Sequence, residues 1–434
     1  MRRSTSGKGY IWILAALLLL AGLLVWRFRP WEAGIFEQEE APAEGDIPLT
    51  RATLQYYIWK DEEPYIREVV NAWNALQGRE AVVLHVIKNS DHEAWLKAYD
   101  ESVQADLIGL RGNSNVLELQ QKGYLLGLGP YIQKSGLDVK NYGNMFNEIT
   151  CDGEYYALPT RSTCWALYYN KTLFDQKGIA YPNGMTWKEY LALARKMTWE
   201  ENGTKIWGGY YPPWNYNMEA AQNGYYLLDD NLKPTEQCLA MINSLYQSGS
   251  HVPYAEIKDR GDDCRYDFEE GNIAMIINGE WLANMLLEDE AAGKSVPEWD
   301  IAPLPVPDNA KGKISVGQYQ FAGISAHCQY PEEAFAFLEF LCGNPGAKIY
   351  AGNAVIPAYY SDEIREIYKE ALRGKNANVF FEAEKNQEQP MWNGYNRLME
   401  IYTKEVEAYL MGENSLSEAM EQFEQERMVL LEGP

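Results

Sequence analysis

The sequence lacks the short motifs that mark most metal-dependent, nucleotide-dependent and serine-dependent enzymes. It contains no HExxH, P-loop, GxGxxG or GxSxG, and the segment from Gly323 to His327 (GISAH) only approaches the last of these. Its four histidines are scattered. We therefore expect no metal site, no cofactor and no catalytic residues. Paired carboxylates for glycoside hydrolysis stay open as an alternative, because no spacing singles out one pair among 62 acidic residues.

Basic residues are also scarce. The chain of 434 residues has 38 Lys and Arg against 62 Asp and Glu, which gives a formal net charge of −24. Several of the basic residues precede Pro30, so the rest of the chain is more acidic still. A negative surface repels phosphate groups. This charge argues against nucleic-acid binding and against flat docking on anionic lipid.

Cysteine is infrequent, and no CxxC pair is present. Six cysteines in an exported protein allow disulfides, and buried free thiols are the equally open alternative. The positions are Cys151, Cys164, Cys238, Cys264, Cys328 and Cys342.

The aromatic residues are unusual in kind. There are 31 Tyr and 14 Trp against only 12 Phe. Tyr and Trp combine a flat apolar face with a polar edge. Most must pack in cores, but their excess favours a polar ligand with apolar faces, such as a sugar.

The only long apolar run lies at residues 10–26 (YIWILAALLLLAGLLVW), and three basic residues precede it. We predict that residues 1–29 form a cytoplasmic N-terminus and a single transmembrane anchor, with the rest exported. A cleaved signal peptide is the alternative, but LLVWRFRPW follows Gly22 in place of small residues. A lipoprotein signal would need a cysteine, and the first is Cys151. Residues 30–49, rich in Glu and Pro, are predicted to be a flexible linker.

The exported part begins with alternating strands and helices. Apolar runs at 54–59, 81–87 and 105–110 predict strands, and a helix-spaced pattern between the first two ends at Gly78. This alternation predicts a parallel sheet covered by helices. Ligands of such sheets bind beyond the carboxyl ends of the strands. The polar loops that follow the first and third strands, which include Asp61 and Arg111, are therefore candidate binding loops. Asp61 could instead be only the N-cap of the following helix.

A second unit begins near residue 151. Thr186 and Glu189 form a capping box that opens a helix. The stretch GNIAMIINGEW, Gly271 to Trp281, predicts a buried strand that ends in a turn and presents a tryptophan. Further helices are predicted from Pro331 and over 362–372, 393–411 and 415–430.

Several ordered segments together resemble the extracellular solute-binding proteins of ABC transporters, family 1, the maltodextrin-binding-like sugar receptors. The resemblance covers most of the exported chain and implies an α/β, two-lobed periplasmic-binding-protein-like fold (type II), here preceded by one N-terminal transmembrane helix. The matching segments are 156–174, 185–198, 268–286, 299–325 and 330–351.

The resemblance also implies that two α/β lobes close on a ligand by hinge motion. The first lobe would comprise 50–158 with 305–365 and the second 165–303 with 366–434, with crossovers near Thr160–Thr163 and Pro303–Pro307.

Ligand contacts follow from the resemblance only where motifs match. Trp281 and Trp392 resemble the tryptophans that stack on sugar rings. Arg161 and Thr163 lie at the first hinge, where maltodextrin receptors have an acid; its absence here argues against maltodextrin itself. The expected ligand-binding residues are Trp59, Asp61, Arg111, Asn113, Arg161, Thr163, Tyr211, Trp214, Trp281, Tyr319 and Trp392.

The resemblance implies an extracellular, membrane-tethered receptor that captures a sugar or oligosaccharide and delivers it to the transmembrane subunits of an ABC permease. It would perform no chemistry. A sensory co-receptor of the same fold, which reports ligand binding to a membrane sensor, is the first alternative. A carbohydrate-active enzyme is the second, and it would need two carboxylates facing each other across the cleft.

Overall fold

A computed structural model of the chain describes residues 50–432, apart from 101, 144–145, 147–148, 152 and 262–267. The predicted membrane helix at 10–26 and the predicted linker at 30–49 lie outside the described residues. Within the described part, no helix combines the length and the hydropathy that crossing a membrane requires.

The described strands alternate with helices along most of the chain. The strands are β1 Leu54–Trp59, β2 Val82–Ile87, β3 Leu107–Leu110, β4 Leu158–Ser162, β5 Trp165–Asn170, β6 Trp199–Glu201, β7 Thr204–Ile206, β8 Met275–Gly279, β9 Trp299–Pro303, β10 Ile314–Gly317, β11 Tyr319–Ile324 and β12 Glu384–Gln387.

The helices differ widely in length, and short 3₁₀ turns occupy Lys60–Glu62 and Val139–Tyr142. The helices are α1 Glu63–Gln77, α2 Asn89–Lys97, α3 Asn113–Gln121, α4 Gly129–Ser135, α5 Lys171–Lys177, α6 Trp187–Lys196, α7 Met218–Gln222, α8 Lys233–Gln247, α9 Tyr254–Arg260, α10 Trp281–Ala291, α11 Pro331–Cys342, α12 Asn344–Gly352, α13 Asp362–Ala371, α14 Val379–Glu382, α15 Tyr395–Leu410 and α16 Leu416–Glu432.

The first sheet has the strand order β2-β1-β3-β11-β4. Strand β1 is parallel to β2 and β3, as the sequence predicts, because helices α1 and α2 return the chain between them. The parallel arrangement predicted from the first three strands is confirmed, and the sheet also contains an antiparallel strand whose direction was not predicted. Strand β11 is antiparallel to both β3 and β4, because the chain re-enters this sheet from the opposite direction after building the second one.

The second sheet has the order β8-β5-β9, and both pairings are antiparallel. We call the elements packed around the five-stranded sheet the first lobe and those around the three-stranded sheet the second lobe. The chain passes from the first lobe to the second between Ser162 and Trp165, and returns over 303–319. Strand β12 pairs in parallel with β10 at this return. The residue boundaries predicted for the lobes stay a prediction.

Most of the aromatic residues pack in the cores. Trp73, Trp165 and Trp299 are among the largest side chains with almost no accessible surface. Strand β5 is buried at every position between β8 and β9. Continuous burial explains why its sequence, WALYYN, does not alternate between apolar and polar residues.

Four of the cysteines are free thiols, namely Cys164, Cys238, Cys328 and Cys342. The disulfide alternative is therefore wrong for these four in this structure. Cys264 lies outside the described residues.

Candidate functional site

The loop after β1 places Trp59 and Asp61 at the carboxyl end of the first sheet. Trp59 is buried, with its ring 5.1 Å from that of His92 and the Arg111 guanidinium 5.3 Å from its centroid. Asp61 is exposed and accepts a hydrogen bond of 2.6 Å from the Asn89 amide. It belongs to the 3₁₀ turn before α1 and does not cap that helix, since the N-cap residue Glu62 makes no side-chain cap bond.

The loop after β3 supplies side chains in which one buried polar atom has no protein partner. Arg111 donates from Nη2 to the Asn89 carbonyl at 3.1 Å, but its buried Nε has no partner. Burial lowers the pKa of Arg111, and Glu93 and Asp61 oppose that shift. The amide of Asn113 donates to Gln387 Oε1 at 3.0 Å, whereas its buried Oδ1 has no partner. An unpartnered buried polar atom is costly, so these atoms are suited to bind a polar ligand.

Two expected ligand residues at the first crossover between the lobes instead have protein partners. Arg161 is buried and forms ion pairs with Glu62 at 3.0 Å and with Glu280. Thr163 is also buried, and its hydroxyl accepts a hydrogen bond of 2.8 Å from the backbone N–H of Gln318. We therefore do not retain either residue as a direct ligand contact.

The motif ending in Trp281 forms the end of β8 and the first residue of α10. The Trp281 ring is partly exposed and packs edge-on against Trp165, with centroids 5.3 Å apart. A Cβ added to Gly279 would lie 2.0 Å from this ring. Glycine is therefore required before the tryptophan because the indole folds back over the strand end.

Sequence reasoning missed Glu388, which contacts Trp165, the buried member of this pair of indoles. Its carboxylate accepts hydrogen bonds from Trp165 Nε1 at 3.1 Å and from the Asn215 amide at 2.9 Å. Protein atoms surround the carboxyl group although part of the residue is accessible. Burial raises the pKa of Glu388 to about 7, against the lowering effect of the Trp165 hydrogen bond. Its segment, EKNQEQP, has no periodicity that would have identified it.

The two aromatic residues expected in the 207–217 loop have different positions. Trp214 is 39% exposed and adjoins Asn215. Tyr211 has no accessible surface, and its hydroxyl donates to the Asn215 carbonyl at 2.9 Å. Tyr211 is thus a core residue of the second lobe, and we do not retain it as a ligand contact.

Trp392 follows Glu388 in the chain and is partly exposed at the edge of the second-lobe core. Its ring lies 3.2 Å from the position of a Cβ on Gly394, which has a φ of 90°. The next residue, Asn393, donates to Gln121 of the first lobe. This segment therefore crosses between the lobes beside the exposed indole.

Tyr319 is buried, and its hydroxyl donates to the Tyr142 carbonyl. It lines a separate cavity of about 760 Å³ whose walls come from both lobes. Trp281 and Trp392 do not line that cavity. Tyr319 is therefore not part of the same group as the tryptophans.

Direct contacts join one set of residues across the lobes, which we call the cleft group. The Asn113 amide of the first lobe donates to the carbonyl of Gln389, which is the residue after Glu388. The Glu388 carboxylate in turn accepts hydrogen bonds from Trp165 and Asn215. The cleft group comprises Asn113, Trp165, Asn215, Trp281, Glu388 and Gln389. It combines partly exposed indole with hydrogen-bonding groups, and among the described residues no cluster of His, Cys, Asp or Glu is suited to hold a metal.

Solved structures with the same fold cover nearly the whole described chain. An ABC substrate-binding protein from Listeria monocytogenes, in complex with cycloalternan, has a TM-score of 0.76 at 23% identity and covers 87% of this chain and 98% of its own. A sugar transporter from Rhizobium etli, in an open conformation, has a TM-score of 0.76 at 21% identity, covering 86% and 98%. These likenesses show the two-lobed α/β periplasmic-binding-protein-like fold.

Sequence comparison identifies the same kind of protein. An arabinooligosaccharide-binding protein from Halalkalibacterium halodurans is 27% identical over 172 residues, which are 37% of this chain and 37% of that protein. The family model for bacterial extracellular solute-binding proteins matches residues 49–348. Members of this family are solute-binding proteins and not enzymes, which removes the carbohydrate-active enzyme alternative. The chain belongs to the family of bacterial extracellular solute-binding proteins.

Proposed function

We propose that this protein captures a sugar or oligosaccharide between its lobes and delivers it to an ABC permease. The observation that carries the proposal is the cleft group, in which the partly exposed Trp281 packs against Trp165, and Trp165 and Asn215 both donate hydrogen bonds to the Glu388 carboxylate. Two similar proteins support the ligand class, namely the Listeria substrate-binding protein in complex with cycloalternan and the arabinooligosaccharide-binding protein.

The chemistry of the cleft group suits a sugar. The C–H face of a pyranose or furanose ring packs on an indole, as other apolar surfaces do. Its hydroxyls need partners, and the Glu388 carboxylate together with the unpartnered Asn113 Oδ1 would accept hydrogen bonds from them. Specificity follows because a ligand without those hydroxyls leaves buried polar groups unsatisfied.

We propose eight ligand contacts, of which six were expected from the sequence and two, Asn215 and Glu388, are added from the structure. Trp281 and Trp392 provide the stacking surfaces, and Glu388 provides an acceptor that the sequence did not reveal. The first lobe contributes polar side chains from the loops after β1 and β3. The proposed contacts are Asp61, Arg111, Asn113, Trp214, Asn215, Trp281, Glu388 and Trp392.

The N-terminal segment completes the proposal. The apolar run at 10–26 would hold the protein on the outer face of the cell membrane, with residues 30–49 as a tether. A tethered receptor stays close to its permease, so that ligand transfer does not depend on free diffusion. The hinge at 162–165 would allow the lobes to close over the ligand.

The proposal is tested by a thermal-shift screen of the full chain against mono- and oligosaccharides, in a detergent without a sugar headgroup. A ligand present at 100 times its Kd should stabilise the protein by about 2.7 kcal/mol. We expect the shift to disappear in Trp281→Ala. The control is Trp199→Ala, which removes a partly buried indole that packs on Lys177.

Two results would contradict the proposal. One is the absence of any shift over a broad panel of neutral sugars. The other is a sugar-induced shift that survives equally in Trp281→Ala and Trp392→Ala, since the ligand would then bind elsewhere.

A further inference from the structure

A buried ion network lies at the hinge, behind the Trp281 motif. Arg161 donates from Nη1 to Glu62 Oε1 and to the Tyr65 hydroxyl, each at 3.0 Å, and from Nη2 to Glu280. Glu62 and Glu280 have relative exposures of 2% and 0%, and that of Arg161 is 6%. One guanidinium therefore serves two buried carboxylates.

The three residues belong to different parts of the fold. Arg161 is in β4 of the first lobe, and Glu62 ends the 3₁₀ turn before α1 of the same lobe. Glu280 lies in the second lobe, immediately before Trp281. The contact between Arg161 and Glu280 thus crosses from one lobe to the other, while Glu62 and Tyr65 orient the arginine.

Glu280 is held on the second-lobe side by the backbone. Its Oε2 accepts a hydrogen bond from the Cys164 N–H at 3.0 Å, and its own N–H donates to the Cys164 carbonyl at 2.9 Å. Because Trp281 is the next residue, the position of its indole depends on where Glu280 is anchored.

Any rotation of the lobes that separated Glu280 from Arg161 would break a buried ion pair. Desolvation raises the pKa of Glu62, and the nearby Arg161 opposes that rise. For Arg161, desolvation acts to lower the pKa, but Tyr65, Glu280 and Glu62 together raise it well above its ordinary value. The guanidinium therefore keeps its charge. Breaking a buried pair leaves an uncompensated charge, which disfavours the separated arrangement.

We propose that Arg161 is a positioning residue whose ion pair with Glu280 latches the two lobes and sets the Trp281 indole in the cleft. The latch rests on the proposed capture of a ligand between lobes, but it acts without ligand. It stabilises the lobe arrangement in which Arg161 and Glu280 are in contact.

The test measures the distance between lobes in the ligand-free full chain by single-molecule energy transfer. Dyes are attached through genetically encoded azides at Lys97 of the first lobe and Lys196 of the second, both exposed, so that the native cysteines stay unchanged. The informative variant is Glu280→Gln, which keeps the acceptor for the Cys164 N–H and removes the charge that Arg161 pairs with.

We expect Glu280→Gln to shift the distance distribution toward longer distances and to lower the ratio of latched to separated molecules at least threefold. Arg161→Met should do the same, and Arg161→Lys should recover part of the wild-type distribution. The control is Glu405→Gln, which neutralises a buried carboxylate on α15, paired with Lys404 and away from the hinge.

Because Arg161→Met leaves two buried carboxylates and risks misfolding, a neutral triple variant, Glu62→Gln with Arg161→Gln and Glu280→Gln, supplies a second measurement. The latch is overturned if both Glu280→Gln and the triple variant keep the wild-type distribution. A shifted distribution together with silence in the sugar screen would support the latch while contradicting the proposed ligand class, so the two proposals fail separately.

Discussion

At the scale of single residues, the position of each partly exposed indole depends on the residues packed around it. The Trp281 ring packs against Trp165 and against Gly279, and the residue stays partly exposed. A fixed ring loses little freedom when a ligand stacks on it, and this pre-organisation favours affinity.

Gly279→Ala tests that packing directly. The added methyl would overlap the Trp281 ring at 2.0 Å, and the ring must rotate to relieve the contact. Overpacking of this kind costs about 1–3 kcal/mol, and we expect sugar affinity to fall by about tenfold or more. Titration calorimetry measures the loss. Gly352→Ala, whose Cβ would meet no atom within 4 Å, is the control and should bind normally. Unchanged affinity in Gly279→Ala would show that the ring position is irrelevant.

Glu388 predicts a pH dependence. Because burial raises its pKa from 4.5 to about 7, its protonated form favours the folded state. The resulting stabilisation is fully present below about pH 4.5 and is lost as the pH rises through about 7. The residue is partly accessible, which reduces the effect to on the order of 1 kcal/mol.

Glu388→Gln keeps an acceptor for Trp165 and does not titrate. We expect the unfolding temperature of the wild type, relative to this variant, to decline between pH 5 and 8, by about 2 °C or less in total. A difference in unfolding temperature between the two proteins that stays constant over that pH range would contradict the raised pKa.

At the scale of elements, local sequence signals were sufficient to predict where a helix begins when its capping residues lie within the first turn. In α6, Glu189 N–H donates to the Thr186 hydroxyl at 3.3 Å and Thr186 N–H donates to Glu189 Oε2 at 2.9 Å, which confirms the predicted capping box. The prediction succeeded because both partners lie within one turn of chain.

Thr186→Ala removes one half of this box, and we expect it to destabilise the protein by about 1 kcal/mol. Thr186→Ser keeps the hydroxyl, and its free energy of unfolding should differ from that of the wild type by only a few tenths of a kcal/mol. Urea denaturation monitored by circular dichroism compares the two variants. Equal stability of the alanine and serine variants would mean that the cap does not contribute.

Long-range pairings were beyond the reach of local patterns. The extent of β1 was predicted correctly, because a continuous apolar run is a local property. The antiparallel direction of β11 was not, because it follows from the path of the chain through the second lobe. Strand β12 was also missed: its sequence, EKNQ, is polar and is paired only through β10.

The candidate site shows the same limit. Trp281 and Trp392 were chosen from sequence motifs, and their contact with a ligand stays a prediction. The burial of Arg161 and Tyr211 could not be predicted from local patterns. Arg161 forms ion pairs with Glu62 and Glu280, which are far away in the chain, and the Tyr211 hydroxyl donates to the Asn215 carbonyl inside the core.

At the scale of the whole molecule, the net charge of −24 constrains the ligand. Long-range repulsion disfavours anions, whereas a neutral sugar experiences no such force. Salt screens these interactions, with a Debye length of about 10 Å at 0.1 M and about 3 Å at 1 M.

We therefore expect the Kd for a neutral sugar to change by less than about twofold between 0.05 M and 1 M sodium chloride, because stacking and neutral hydrogen bonds are weakly screened. The corresponding uronic acid should bind more weakly at low salt and gain affinity as salt is added. Titration calorimetry at both salt concentrations makes the comparison on one protein preparation. A tenfold salt dependence for the neutral sugar would contradict this expectation, since it would mean that paired charges must separate when the lobes take up ligand.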